Sequence, residues 1–188
     1  MKYDKHKEDN YSYWQGQFDG HQHYMVSGEG NEYYFIREII LKEIKSGESL
    51  LDVGCASGGT YRHIKEFSKK TIKYKGIDFA EKFIEANKEQ MPKIDWEVGD
   101  ARYLKEPDKS WDNVLIYDSI DRLDGWEKAL DEADRVAKKQ IILIMWIDNN
   151  MDEKRDYLEK LGYSIKQFTS MDGMNYHYFV FARRKNGV

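Results

Sequence analysis

Four aspartates, Asp52, Asp78, Asp100 and Asp118, each close a short apolar stretch, in LLDVG, YKGIDF, WEVGD and LIYDS. A carboxylate accepts hydrogen bonds from hydroxyls and amines and attracts cations, so four in series can line a site for a polar, positively charged ligand. Behind the first acid the chain turns on Gly54, Gly58 and Gly59 in the string GCASGG. Glycines let a strand turn sharply into a helix and let a ligand approach the main chain, and the helix start offers N–H groups with no partner inside the helix. Taken singly, each acid is as much at home as a helix N-cap or a surface carboxylate.

Two ligand classes compete for this turn. GCASGG fits the dinucleotide fingerprint G-x-G-x-x-G only with Ala56 in the middle glycine's place, and it also fits the looser D-x-G-x-x-x-G pattern headed by Asp52. Electrostatics helps to decide. Two unit charges about 4 Å apart interact by about 1 kcal/mol in water and about 4 kcal/mol at an effective dielectric of about 20, so a pyrophosphate is repelled by the nearest acids. A ligand bearing an ammonium and a sulfonium is attracted. Asp78 is suited to the two hydroxyls of a ribose, a role that NAD sites share with other nucleoside sites and that does not discriminate alone. Asp100 is suited to an exocyclic adenine amine, with the Ala101 N–H turned to the ring.

The elements that must hold these acids are legible in the apolar pattern. Phe35, Ile36, Ile39, Ile40 and Ile44 predict an amphipathic helix over 31–45, capped by Asn31 and stopped at Gly47. After it, strand-like runs at 49–53, 72–77, 94–98, 113–117 and 140–146 alternate with helical patterns at 60–68, 80–90, 126–137 and 152–161. Such alternation implies βαβ units around a parallel sheet, with IILIMWI as a strand covered on both faces. Runs at 163–168 and 176–183, flanking MDGMN, read as an antiparallel hairpin at the sheet edge. The expected fold is a three-layer α/β sandwich with a seven-stranded, mostly parallel sheet.

With 188 residues, the chain reads as one domain over 31–188, preceded by a distinct segment over 1–30. There Tyr11, Tyr13, Trp14, Phe18 and Tyr24 stand among glycines without a steady period, which suits a lid draped over the body. The balance of 40% hydrophobic and 34% charged residues is that of a globular protein. A lone cysteine, Cys55, argues against a disulfide framework or a multi-cysteine zinc site. With no apolar secretory core at the start and no run near the roughly 20 residues that cross a bilayer, the expected location is cytoplasmic, off the membrane. A net charge of −4, with only KKTIKYK and ARRK as basic patches, disfavours nucleic acid as a partner. His21 and His23 make a poor metal site by themselves, so no metal is expected, but either imidazole can serve as a base near neutral pH. His63 and His177 have weaker claims.

LLDVGCASGG, YKGIDFAEKFIEAN, WEVGDARYL and WDNVLIYDSIDRLDGWEKALDEADRV resemble, in order, the successive motifs of class I S-adenosyl-L-methionine-dependent methyltransferases, over residues 31–183. The resemblance implies a Rossmann-like methyltransferase fold, with S-adenosyl-L-methionine (SAM) as cofactor and S-adenosyl-L-homocysteine (SAH) as its product. Asp52, Gly54, Cys55, Ala56 and Gly58 would then lie under the methionine part of the cofactor. Asp78 would bind the ribose, Phe79 the adenine face, and Asp100 with Ala101 the adenine edge. Tyr117 and Asp118 would line the floor near the methyl, with Asp118 and His23 as the candidate catalytic residues. Tyr13 and Trp14 would close over the cofactor, where aromatic faces attract a sulfonium by about 0.5 to 2 kcal/mol. The chain departs from the family where Ala137, Lys138 and Lys139 replace a common Pro-Gly-Gly turn before the fifth strand. It departs again at YDSI, which lacks the Pro-Pro motif of many enzymes that methylate the amines of bases. The expected activity is methyl transfer to a small-molecule acceptor whose nucleophile, O, N, S or C, is open. A nucleic-acid methyltransferase, a non-catalytic cofactor-binding module and a dinucleotide-dependent oxidoreductase remain the alternatives.

Overall fold

Short apolar runs rich in Ile, Leu and Val lay down seven strands: β1 (Ser49–Val53), β2 (Lys73–Asp78), β3 (Asp95–Val98), β4 (Trp111–Tyr117), β5 (Ala137–Trp146), β6 (Tyr163–Thr169) and β7 (His177–Arg184). They form one sheet in the order β3-β2-β1-β4-β5-β7-β6. β1 to β5 run parallel, and β7 is antiparallel to both β5 and β6. Five helices complete the fold: α1 (Glu32–Glu43), α2 (Gly59–Phe67), α3 (Glu81–Gln90), α4 (Trp126–Val136) and α5 (Met151–Lys160). This computed structural model describes residues 32–120, 123–146, 151–169 and 177–184. The expected lid, the Asn31 cap and the MDGMN turn lie outside them.

Period-two alternation divides the core into two layers. Leu51, Val53, Val114, Ile116, Ile141 and Leu143 join Leu130, Ala133 and Val136 of α4 and Leu158 of α5. Leu50, Leu115, Ile142 and Ile144 join the other face, with Ile36 and Ile40 of α1, Ile64 of α2 and Ile84 of α3. Both faces of the central strands are therefore covered, as a parallel sheet requires, and each fully buried Leu or Ile contributes about 1.5–3 kcal/mol.

Two details differ from the sequence pattern. β5 begins at Ala137, where a turn is common in the resembling family. Ala137 is the extended C-cap of α4 and already pairs with Trp111, so helix passes to strand with no loop between. The C-terminal hairpin is at the sheet edge, but its second strand lies inside. Val180, Phe181 and Ala182 of β7 are fully buried, whereas Ser164, Lys166 and Gln167 of β6 are exposed, so the polar strand takes the edge. At the end of α1, Gly47 turns the chain at φ +89° and donates its N–H to Thr71 at 2.6 Å. Lys70 Nζ caps the carbonyls of Leu41 and Ile44 there. Among the described residues no helix is long and apolar enough to cross a membrane.

Candidate functional site

From β1 the chain moves outward to β2 and β3, then returns to place β4 on the other side of β1. The carboxyl ends of β1 and β4 are thus a topological switch point, where open α/β sheets bind ligands. The turn after β1 is tied to β2: the N–H groups of Gly54 and Cys55 both donate to the Ile77 carbonyl, at 2.8 and 3.0 Å. Gly54, Ala56 and Gly58 all have positive φ, at +80°, +42° and +73°. For Ala56 that costs about 1–2 kcal/mol. The turn is held there by its own N–H, which donates to Asp78 Oδ2 at 2.8 Å, and by its carbonyl, which accepts Asn87 Nδ2 at 2.8 Å. Asp118 also has a left-handed backbone, at φ +49°, and donates its N–H to Ile144 at 2.9 Å. Three described non-glycine residues have such a backbone, and two of them occupy the turns after β1 and β4. Strain of this kind concentrates at binding sites.

The space freed by the glycines is filled by protein. A Cβ on Gly54 would lie 2.6 Å from Ser119 Oγ, and one on Gly58 would lie 2.7 Å from the Trp96 ring. One on Gly59 would overlap the Arg37 guanidinium. Glycine at these points serves the left-handed turn and the close packing of α1, β3 and the β4 turn against it.

Asp52, 2% exposed, accepts the Tyr74 hydroxyl at 2.6 Å. Burial pushes its pKa up to about 6, against the hydrogen bonds of Tyr74 and Thr60 and the charge of Arg37. Asp78 ends β2, is 6% exposed, and accepts the N–H groups of Ala56 and Ala80 at 2.8 and 2.9 Å. Burial raises it to about 6 as well, against backbone N–H groups that include that of Phe79. Two desolvated carboxylates at the carboxyl ends of neighbouring strands favour a cationic partner. Burial holds the Cys55 thiol well above its ordinary pKa, hence neutral.

Phe79, beside Asp78, is half-buried. Asp100 is bound to its own turn: Arg102 reaches both carboxylate oxygens, with Nη2 2.7 Å from Oδ2, and holds the acid below its usual pKa. An adenine amine there would share Asp100 with Arg102. Ala101 packs on the α4 side of the core. Tyr117, half-buried, stands 6.5 Å from the Tyr33 ring of α1, between ring centroids. Asp118 follows it, also half-buried.

Tyr13, Trp14, His21 and His23 lie outside the described residues, as does the side chain of His177. His63 is fully buried, with its Nε2 2.8 Å from Glu38, and burial lowers its pKa, so it joins α2 to α1 as a neutral ring. Among the described residues no group of three or more His, Cys, Asp or Glu is placed to hold a metal. Three residues that the sequence does not single out belong to the site: Tyr74 and Asn87, which bind Asp52 and Ala56, and Arg37 against Gly59.

The profile of the methyltransferase domain family matches residues 51–145, more than half of the chain, from β1 through β5. The chain belongs to the class I S-adenosylmethionine-dependent methyltransferases. It is 29% identical over 138 residues to ajmaline N-methyltransferase of Rauvolfia serpentina, covering 65% of this chain and 47% of that enzyme. It is 31% identical over 107 residues to demethylmenaquinone methyltransferase of Staphylococcus aureus, covering 54% and 44% respectively. The chain thus spans less than half the length of each of these relatives. The structure of magnesium protoporphyrin IX methyltransferase from Synechocystis, with SAM bound, shares the fold at a TM-score of 0.76 and 15% identity, covering 98% of this chain and 99% of that one.

The donor set of this family member fits SAM. Asp52 and Asp78 would offer buried negative charge to a ligand that carries a sulfonium and an ammonium, and the lone pairs of Asp78 beyond its backbone bonds would be open to ribose hydroxyls.

Proposed function

We propose that the chain transfers a methyl group from SAM to a small-molecule acceptor by in-line displacement. The observation that carries this reading is the pair of desolvated carboxylates, Asp52 at the switch point and Asp78 at the end of the adjoining β2, in a methyltransferase-family sheet. SAM, when bound, supplies a methyl group already activated by its sulfonium. The chain's task is then to bind, align and exclude water. We assign Asp52 and the Gly54–Gly58 turn to the methionine part, Asp78 to the ribose, and Phe79, Asp100 and Ala101 to the adenine. Tyr117 and Asp118 floor the acceptor side, where Asp118 can take a proton from an amine or hydroxyl nucleophile. Residues 1–30 would close over both ligands as a lid, bringing Tyr13, Trp14 and His23.

Support for a small acceptor comes from the basic segments. Lys70 caps α1, Lys73 lies 4.9 Å above the Trp111 ring, and Lys75 is paired with Glu97 and Glu106 at 2.8 Å each. Arg183 binds Glu43 at 2.6 Å. Lys70 and Lys75 are thus engaged within the fold while Lys73 and Arg183 stay exposed, which leaves few cations on these segments for a phosphate backbone. The relatives above are also named for small-molecule acceptors. The test is incubation with methyl-labelled SAM and a panel of small amines, hydroxyls, thiols and carbon acids beside tRNA and DNA. Label in a small molecule supports the reading, label in nucleic acid overturns the acceptor class, and SAH binding with no transfer to any acceptor leaves a cofactor-binding module.

A further inference from the structure

Ala56 stands where the dinucleotide fingerprint has its middle glycine, yet its backbone is left-handed, at φ +42°, a conformation that glycine adopts freely and alanine does not. Such a residue keeps its shape only where the surroundings fix it. Here they grip it on both sides. The N–H of Ala56 donates to Asp78 Oδ2 at 2.8 Å, and its carbonyl accepts Asn87 Nδ2 at 2.8 Å.

Asn87 lies in the second half of α3, is 1% exposed, and reaches Ala56 across 31 positions of the chain. Its bond closes a ring. The other oxygen of Asp78 accepts the N–H of Ala80, the N-cap of α3, and the helix then carries Asn87 back to the turn. The helix end that bears it is anchored as well. The Asn87 carbonyl accepts the Met91 N–H at 2.8 Å, the Met91 carbonyl accepts Trp96 Nε1 at 3.2 Å, and the Trp96 ring fills the space beside Gly58. A carbonyl needs a donor, and an asparagine amide supplies one without a charge.

We propose that Asn87 is a positioning residue of the cofactor turn: its bond to the Ala56 carbonyl supplies the hold that a glycine would make unnecessary, and keeps the Gly54–Gly58 turn in the shape that binds the ligand. The proposal rests on the assignment of that turn to SAM. Its consequence is that Asn87 and Ala56 act as a pair, so that the need for the amide depends on the residue at position 56.

The test uses the full chain. Asn87→Ala removes the donor and leaves a better helix former in α3, and Asn87→Leu removes it while still filling the space. By calorimetry with SAH, each should bind about tenfold more weakly than the wild type. In an Ala56→Gly background the same two changes should cost no more than about twofold relative to that background, because glycine takes the left-handed backbone unaided. An unchanged affinity in the folded variants overturns the proposal. An equal loss in both backgrounds makes Asn87 a scaffold for α3 and overturns it too. Without ligand, hydrogen exchange followed by nitrogen-15 NMR gives a second arm: in Asn87→Ala the Ala56 N–H exchanges about tenfold faster, while those of Leu50 and Leu51 in β1 keep their rates. Exchange at Ala56 that is unchanged, or faster only in step with β1, contradicts the proposal. If the wild type binds no SAH at all, the cofactor assignment fails, and the exchange arm still judges the link between Asn87 and Ala56.

Discussion

At the amino ends of β1, β4 and β5, Glu48 and Asp112 share the ammonium of Lys139, each at 3.0 Å, and Asp112 also accepts the N–H and hydroxyl of Ser49. Asn113 and Gln140 bond across the strands beside them. At the carboxyl ends of β1 and β2, Asp52 and Asp78 are more deeply buried and accept hydroxyls and backbone N–H groups. Burial raises all four acids. At the amino ends the hydrogen bonds and Lys139 outweigh it, leaving Glu48 and Asp112 below their ordinary pKa. At the carboxyl ends burial wins, and Asp52 and Asp78 rise to about 6. One sheet thus shows the same chemical group used in two ways. Paired acids lock the strands together, and underpaired ones keep binding capacity at a cost to the fold.

The largest expected effect comes from breaking the carboxyl end. Asp52→Asn keeps an acceptor for Tyr74 but removes the charge, so SAH affinity at pH 8 falls about 100-fold by calorimetry. The ligand-free variant should melt higher than the wild type at that pH, by an amount on the order of 1–3 kcal/mol of stability, because a buried anion has been removed. The sign follows from linkage. A folded pKa raised above its unfolded value gives stability that is present below about pH 4 and lost as pH rises toward about 6.

A smaller effect of opposite character comes from the amino end. Lys139→Met leaves Glu48 and Asp112 without their shared cation, and thermal or urea unfolding should show a loss of about 1 kcal/mol. SAH affinity should be unchanged, because Lys139 sits at the far end of the strands. A variant that lost affinity without losing stability would erase the distinction between the two ends.

The contrast also explains what was legible in the sequence. The acids at 52, 78 and 118 could be placed because each ends an apolar run, and period-two burial fixes where a strand ends and a turn begins. The parallel core followed from the same pattern. Arg37 could not be placed, since its role depends on α1 lying across α2 with no side chain at Gly59, a tertiary fact that local spacing does not encode. The bond from Tyr74 to Asp52 is likewise a cross-strand one. For β7, apolar residues on both faces of 180–182 carried the signal for an inner strand, but strand order depends on pairing. The aromatic and histidine residues over 11–24 lie outside the described part of the molecule.

The central claim is that the buried carboxylates at the carboxyl ends of β1 and β2 serve a nucleoside that carries an ammonium group. Calorimetric titration of the wild-type chain with SAH from about pH 5 to 8 tests it most directly. Protons compete with the ligand's ammonium for Asp52 and with the ribose hydroxyls for the lone pairs of Asp78, so affinity should rise about tenfold or more between pH 5 and 7 and then level off. A flat profile, or tighter binding on acidification as a diphosphate ligand would show, would contradict the account.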